Sequence, residues 1–115
     1  METIPTPGKP VRGSKTGKPI MALFDLLGRS WALGIVWQLA PGPLTFRALQ
    51  SRCEDVSPTV LNKRLKELTG SGLVHRTSEG YALSDKGQEL FGLLKPLGAW
   101  SMDWAESLQE SSSET

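Results

Sequence analysis

Proline and glycine interrupt the apolar segments of this chain at short intervals, and this punctuation limits what the chain can fold into. Gly28, Gly34, Pro41 and Pro96 break the longest apolar stretches well before they reach the length of a membrane span. Residues 1–18 are rich in Pro, Gly, Lys and Thr and lack the apolar core of a targeting signal. We therefore expect a soluble cytoplasmic protein of short helices and strands, with no membrane partner.

The charges of the chain are unevenly distributed although their total is small. The 115 residues have a formal net charge of +1. Residues 1–19 carry four bases and one acid, residues 57–83 carry four bases and two acids, and residues 101–115 carry four acids and no base. Because a ligand meets the local field, the two basic segments are compatible with an anionic partner such as nucleic acid. The alternative is a set of ordinary solvated charges.

The length of the chain fits one compact domain. Composition predicts a disordered basic arm over residues 1–18, a folded domain over residues 19–108, and a disordered acidic tail over residues 109–115. One His, the single Cys53, no clustered carboxylates and no Gly-rich phosphate loop leave nothing from which to assemble a catalytic or metal site. We expect no enzyme, no metal and no cofactor.

Three helices are predicted in the first half of the domain. The first covers residues 19–27, because proline suits its first position and apolar residues then recur at helical spacing. The second covers residues 31–40, with Ser30 as its cap. The third begins after Thr45, its predicted N-cap, and ends near residue 52.

A helix and a hairpin are predicted next. Ser57-Pro58 combines a capping hydroxyl with a proline at the first helical position, and leucines follow at spacings of four and three, so we predict a helix over residues 57–69. Residues 73–77 and 81–83 are short β-prone runs around a Ser-Glu-Gly turn, which predicts a two-stranded hairpin.

The order of these elements is typical of a winged helix-turn-helix, in which the second helix of the motif lies in the major groove of DNA. We therefore predict a mainly α (α+β) fold, a winged helix-turn-helix with a two-stranded wing and a C-terminal dimerisation helix. Residues 57–69, called the reading helix below, would present a small, polar and basic face outward.

Three side chains on this face suit base edges. Asn62 could pair with adenine, Lys63 could reach guanine or a phosphate, and Thr59 could touch a thymine methyl or a phosphate. Arg76, near the tip of the wing, could contact a phosphate. The alternative is a solvated helix face that carries two lysines.

One set of residues stands in an order and spacing that are typical of a known family: Leu27-Gly28, Trp31, Gly42-Pro43, Phe46, Leu49, Val56-Ser57, Val60-Leu61, Arg64-Leu65-Lys66-Glu67-Leu68, Gly72-Leu73-Val74, Arg76, Tyr81, Leu83, Gly87, Leu97 and Trp100. As a set they resemble the HxlR-type winged helix-turn-helix regulators of bacteria and archaea, over about residues 18–104. The resemblance implies a transcriptional regulator that binds double-stranded DNA as a homodimer, on an inverted-repeat operator. The alternative is a winged helix that has lost DNA binding and serves as a protein-interaction or ligand-responsive module.

The chain departs from the family pattern at several positions. Arg29 and Ser30 replace the second glycine and the lysine of the usual Gly-Gly-Lys-Trp, and Thr45 stands where an arginine is common, so two phosphate contacts are altered. Lys18 occupies the position of a redox-sensing cysteine, so we expect no oxidant sensing there, and Cys53 matches a buried position of the turn. The wing also lacks a longer proline-containing segment. The predicted phosphate contacts are Arg29, Ser57, Arg64, Lys66 and Arg76.

The last predicted helix, over residues 85–108 with a kink at Pro96, carries an apolar stripe wider than one small domain can cover. In the resembling family such helices pair across a two-fold axis with help from the first helix. Trp31, Trp37 and Trp100 could line a pocket for a small-molecule effector of unknown identity, although packing in the core and dimer interface is the plainer interpretation. The predicted dimer residues are Ile20, Phe24, Leu94, Leu97, Trp100, Trp104 and Leu108.

Overall fold

A computed structural model describes residues 4–113 of the chain, and the side chains of residues 4–110. Six helices and one antiparallel strand pair follow one another in this part of the chain. Their bounds are α1 (Pro19–Leu27), α2 (Ala32–Leu39), α3 (Phe46–Arg52), α4 (Pro58–Gly70), β1 (Val74–Thr77), β2 (Gly80–Leu83), α5 (Asp85–Leu94) and α6 (Pro96–Ser113). The predicted fold class, a mainly α winged helix-turn-helix with a two-stranded wing and a C-terminal helix, is confirmed.

Hydroxyl caps begin three of the helices at or within a residue of the predicted positions. Thr45, Ser57 and Ser84 each accept a hydrogen bond from the backbone N–H three residues further on, at 3.1, 3.2 and 3.1 Å. Each cap satisfies an amide at a helix end that has no partner within the helix. Local chemistry therefore sets the start of α3, of the reading helix α4, and of α5.

The start of α2 differs from the prediction. Trp31 stands at the N-cap in the left-handed region, with φ of 69°, and Ser30 makes no capping bond. Such a conformation is strained for a bulky residue. The indole packs on Gly34, where a Cβ would lie 3.0 Å from the ring, and Ser30 instead accepts hydrogen bonds from Arg64. The predicted Ser30 cap is therefore wrong, because Ser30 bonds to the Arg64 side chain and not to the start of α2.

The turn between α3 and α4 is made by two consecutive left-handed residues. Glu54 and Asp55 have φ of 54° and 56°. Aspartate tolerates the left-handed region better than most residues, because its short side chain can bond to the nearby backbone. This turn joins α3 to α4, as in a helix-turn-helix.

The wing is tied to the chain that enters α3. Leu44 pairs with Tyr81 of β2 through two backbone hydrogen bonds of 2.8 and 2.9 Å. Gly80 begins β2 with φ of +122°, and a Cβ there would overlap the carbonyl of Leu44. Only glycine therefore allows this close approach, and the wing is held against the helix-turn-helix.

The core lies where α2, α3, α4 and the wing meet. It includes the inward leucines of α4 that the helical spacing predicted. The largest fully buried side chains are Ile35, Val36, Leu39, Leu49, Cys53, Leu61, Leu65, Leu68 and Val74.

Both predicted disordered segments take a defined course where the structure describes them. Residues 4–18 form a loop closed by backbone hydrogen bonds, and Pro5 is buried. Residues 109–113 continue α6. Residues 1–3 and 114–115 lie outside the described residues. The single last helix expected over residues 85–108 is two helices, because Pro96 breaks it.

None of the described helices is by itself long and apolar enough to cross a membrane. α1 and α2 would meet that criterion only as a pair, and the chain bends by 86° between them.

Candidate nucleic-acid interface

The outer face of α4 is polar and basic, as the helical spacing predicted. Thr59, Asn62, Lys63 and Lys66 are all exposed, and the leucines behind them are buried. Glu67, the acid nearest to this face in sequence, is buried. The exposed face of the reading helix therefore combines cations with hydrogen-bonding groups and carries no carboxylate.

A groove runs between α4 and the wing. Asn62 and Lys66 line it from the helix, and Arg76 and Tyr81 line it from the wing, around a volume of about 450 Å³. The guanidinium carbon of Arg76 lies 4.9 Å from the centre of the Tyr81 ring. A cation on an aromatic face at this distance is held by the ring quadrupole. The groove thus presents one cation from each wall, an arrangement that can accept an anionic strand between them.

Tyr81 is a residue whose part in this site the sequence did not reveal. In the sequence, Tyr81 is only one member of the family pattern, with no role assigned to it. The cross-strand register places it opposite Arg76, and the backbone bonds to Leu44 hold it in place. Tyr81 is therefore a positioning residue for Arg76.

Arg29 and Arg64 do not lie where phosphate contacts would need them. The Arg29 side chain is only 6% exposed and pairs with Glu67 and, at 3.6 Å, with Asp25. The Arg64 side chain is 13% exposed, contacts Glu67 at 3.2 Å and donates from Nε to the carbonyl of Ser30 at 2.8 Å. Guanidinium groups that are buried against carboxylates are not available to DNA. We therefore correct both assignments and give these arginines a positioning role.

These side chains form an ionic cluster that joins the loop after α1 to the reading helix. Glu67 lies between the two guanidiniums, with 7% of its side chain exposed. The sequence contained a partial signal, since Asp25 and Arg29 are spaced i, i+4 and Arg64 and Glu67 are spaced i, i+3. It could not show that the two pairs meet, because the whole of α2 and α3 lies between them in the chain.

Ser57 remains a candidate phosphate contact at the start of α4. Its hydroxyl oxygen accepts the capping bond from Val60, and the residue is exposed. A hydroxyl that accepts one bond can still donate its own proton to a phosphate oxygen.

An apolar surface extends over α1 and α6. Six of the seven predicted dimer residues are among the exposed large hydrophobic side chains, and Leu94 is half-buried. Trp100 and Trp104 stack on each other at a centroid distance of 6.0 Å. The exposed members are Ile20, Phe24, Leu97, Trp100, Trp104 and Leu108.

The predicted tryptophan pocket is not assembled as expected. Trp37 lines an apolar groove of about 270 Å³ between α2 and the start of α6, but neither Trp31 nor Trp100 reaches it. Trp31 packs against the core. The groove is lined instead by Leu33, Trp37, Leu94, Leu97, Gly98 and Ser101.

Cys53 is fully buried at the end of α3, as predicted. Burial raises the pKa of its thiol, and the negative charge of Glu54 raises it further. The thiol therefore stays protonated at neutral pH and is a weak nucleophile. Among the described residues, no group of three His, Cys, Asp or Glu side chains is placed to hold a metal ion.

Proteins to which this chain is similar in sequence and structure are named as regulators of transcription. The sequence model of the HxlR-like helix-turn-helix family matches residues 26–109. The uncharacterized HTH-type transcriptional regulator YvaP of Bacillus subtilis is 33% identical over 89 residues, which are 71% of this chain and 82% of YvaP. The structure of quinone-bound YodB from B. subtilis has 31% identity and a TM-score of 0.67, with coverage of 73% of this chain and 96% of YodB. A possible HxlR family transcriptional factor from Thermoplasma volcanium has 31% identity and a TM-score of 0.69, with coverage of 77% and 86%.

Proposed function

This chain belongs to the HxlR-like helix-turn-helix family of DNA-binding transcriptional regulators, and on that basis we propose that it binds an inverted-repeat operator as a homodimer, with α4 as its reading helix. The observation that carries the proposal is the outer face of α4. That face is free of carboxylates and is flanked by a groove with a cation on each wall. Such a surface suits a base-edge reader that lies beside a phosphate strand.

The exposed side chains of α4 divide into base readers and phosphate contacts. Asn62 takes an adenine edge, Thr59 and Lys63 take a base edge or a phosphate, and Lys66 takes a phosphate from the groove side. Arg76 contacts the same strand from the wing.

Two further phosphate contacts complete the proposed interface. Ser57 contributes at the start of α4, and Arg47, exposed on α3, replaces the contacts that Arg29 and Arg64 cannot make. The first helix of a helix-turn-helix crosses the DNA backbone, which is where Arg47 lies along the chain.

The dimer follows from the apolar surface of α1 and α6. Large apolar side chains exposed on two helices of one small domain favour burial against a second copy. In a two-fold dimer the reading helices enter successive major grooves, so the half-site centres lie roughly 34–36 Å apart.

A small-molecule effector is the remaining part of the proposal. One solved relative is the quinone-bound YodB. The apolar groove beside Trp37 could take a small aromatic molecule, bound reversibly because Cys53 is buried. A saturable component in the quenching of tryptophan fluorescence by a benzoquinone probe, lost in Trp37→Leu, would support it. Unchanged quenching in that variant would contradict the assignment of the groove.

Duplex binding across a range of salt concentrations tests the function. A DNA-binding regulator releases counterions, so log affinity should fall linearly with log salt. Selection of bound fragments from the genome of the source organism should then return an inverted repeat. Absent or salt-insensitive binding would favour the alternative, a winged helix that acts as a protein-interaction or ligand-responsive module.

A further inference from the structure

The N-terminal arm, residues 4–18, displays a regular row of cations. Lys9, Arg12, Lys15 and Lys18 recur at every third position, and all four residues are exposed. No acid occurs between residue 4 and Asp25. None of the ion pairs found among residues 4–110 involves the three lysines. The arm is therefore a compact source of positive charge, whereas the chain as a whole carries +1.

The arm is folded back on itself as a closed loop. Gly8 donates a backbone hydrogen bond to the carbonyl of Gly17 at 2.8 Å. Val11 and Ser14 form an antiparallel bridge through two bonds of 2.8 and 3.0 Å near the tip. Gly13 has φ of +83°, which suits this tight reversal. Because the loop is already closed, its cations lose less conformational freedom on binding than they would on a free tail.

The arm is fastened to the domain at both ends. Pro5 is buried, and Ile4 contacts Gly70 at the end of α4, where a Cβ on the glycine would overlap the Ile4 side chain. The backbone N–H of Arg12 donates to the carboxylate of Asp25 at 3.3 Å. At its far end the arm continues directly into α1.

These contacts connect the arm to the reading helix. Asp25 pairs with Arg29, and Arg29 pairs with Glu67 of α4, so the tip of the arm lies two ion pairs away from that flank. The wing lies on the other flank, where the groove contains Asn62 and Lys66. The tip of the arm is thus linked, through Asp25 and Arg29, to the flank of α4 that carries Glu67.

We propose that the arm is a second, sequence-independent phosphate-binding element, which contacts the backbone of the DNA duplex that α4 reads. The proposal rests on the proposed function, since it needs the duplex to be bound by α4. Its partner is the sugar-phosphate backbone, because the exposed lysines of a closed loop complement a row of phosphates and present no base-specific geometry.

The test compares two charge-matched double variants. Lys9→Gln/Lys15→Gln removes two cations from the arm. Lys86→Gln/Lys95→Gln removes two exposed cations from α5 and its C-terminal end. Because Lys86 borders the cleft that Pro5 and Pro7 line, this control also shows whether an effect is specific to the lysines of the arm itself. Affinity is measured against salt on a duplex that extends one helical turn beyond each half-site. Circular dichroism checks that both variants fold, which exposed substitutions should permit.

The arm variant should show a weaker salt dependence than the control. Two lysines per protomer are four in the dimer, so the slope of log affinity against log salt should flatten by roughly 3 to 4 units if each lysine neutralises one phosphate. Affinity at low salt should fall by about tenfold or more, equally for operator and random duplexes. The control should keep the wild-type slope.

The other outcomes of this experiment separate a failure of the arm proposal from a failure of the proposed function. If the arm variant keeps the wild-type slope while binding still depends on Asn62 and Lys66, this inference is wrong and the proposed function stands. An altered dimer mass with an unchanged slope would also overturn it, and would indicate that the arm contacts a second copy, such as its acidic α6. Wild-type protein without salt-dependent duplex binding would contradict the proposed function, and the inference with it.

Discussion

Asn62 and Lys66 lie one turn apart on α4 and border the same groove, but their side chains suit different parts of a DNA duplex. An amide can donate to and accept from one base edge at the same time, whereas an ammonium is a point charge that any phosphate satisfies. The two residues therefore separate specificity from affinity within a single helix.

Alanine substitutions should reveal this division. Asn62→Ala should weaken binding to the selected operator by about 1–3 kcal/mol and leave random-duplex binding nearly intact. Lys66→Ala should weaken both alike and flatten the salt slope by about one unit per lost contact in each protomer. Titrations of both duplexes at several salt concentrations measure these effects. Identical behaviour of the two variants would show that the roles are wrongly assigned.

The carboxylate of Glu67 should contribute to stability, because it is shared by two buried arginines. Glu67→Gln leaves Arg29 and Arg64 buried without their shared carboxylate, which should lower the free energy of unfolding by about 3 kcal/mol. Urea denaturation measures the change. Glu89→Gln is the matched control, since the Glu89 pair with Lys86 is exposed and should contribute less than about 1 kcal/mol. Equal, small effects would show that the cluster does not hold α4.

At the scale of elements, α5 is placed by a close approach that only glycine permits. A Cβ on Gly87 would overlap the carbonyl oxygen of Leu73, whereas a Cβ on Gly92 in the same helix would meet open space. Gly87→Ala should therefore lower the free energy of unfolding by about 1–3 kcal/mol. Gly92→Ala should raise it by about 0.5–1 kcal/mol, because alanine restricts the unfolded chain and favours the helix. Thermal and urea denaturation would test both signs, and a neutral Gly87→Ala would contradict the packing.

The apolar stripe of α6 makes a prediction about assembly. Trp104→Asp should dissociate the proposed dimer, because a carboxylate buried in an apolar interface without a partner is costly. Gln109→Asp adds the same charge about 140° around the helix from Trp104, outside the apolar stripe, and should leave the dimer intact. Light scattering at micromolar concentration distinguishes them. A wild-type mass of a single chain would rule out the homodimer.

At the scale of the whole molecule, two reading helices related by a two-fold axis must meet the same side of the duplex. Insertion of half a helical turn between the half-sites rotates one half-site to the far side. Specific binding should then be abolished, while insertion of a full turn should restore part of it if the dimer can stretch. Mobility-shift titrations on the three duplexes measure this. Undiminished binding to the half-turn duplex would contradict the symmetric dimer.

Local chemistry alone determined the identity and order of the elements. The caps at Thr45, Ser57 and Ser84 and the leucine spacing in α4 each act over a few residues. Such short-range features can be recognised in a single sequence, because a helix cap or an apolar spacing depends only on residues that are close together in the chain. The winged helix-turn-helix and the exposed face of α4 followed from them.

The tertiary structure alone decided which charges are free to meet DNA. Arg29 and Arg64 look like phosphate contacts in the sequence, but Glu67 and the Ser30 carbonyl hold them in the interior. The same packing separates Trp31 and Trp100 from the groove beside Trp37. A buried carboxylate pairs with the cations that lie within ion-pair distance of it. Residues far apart in the chain reach that distance only after the helices between them have packed.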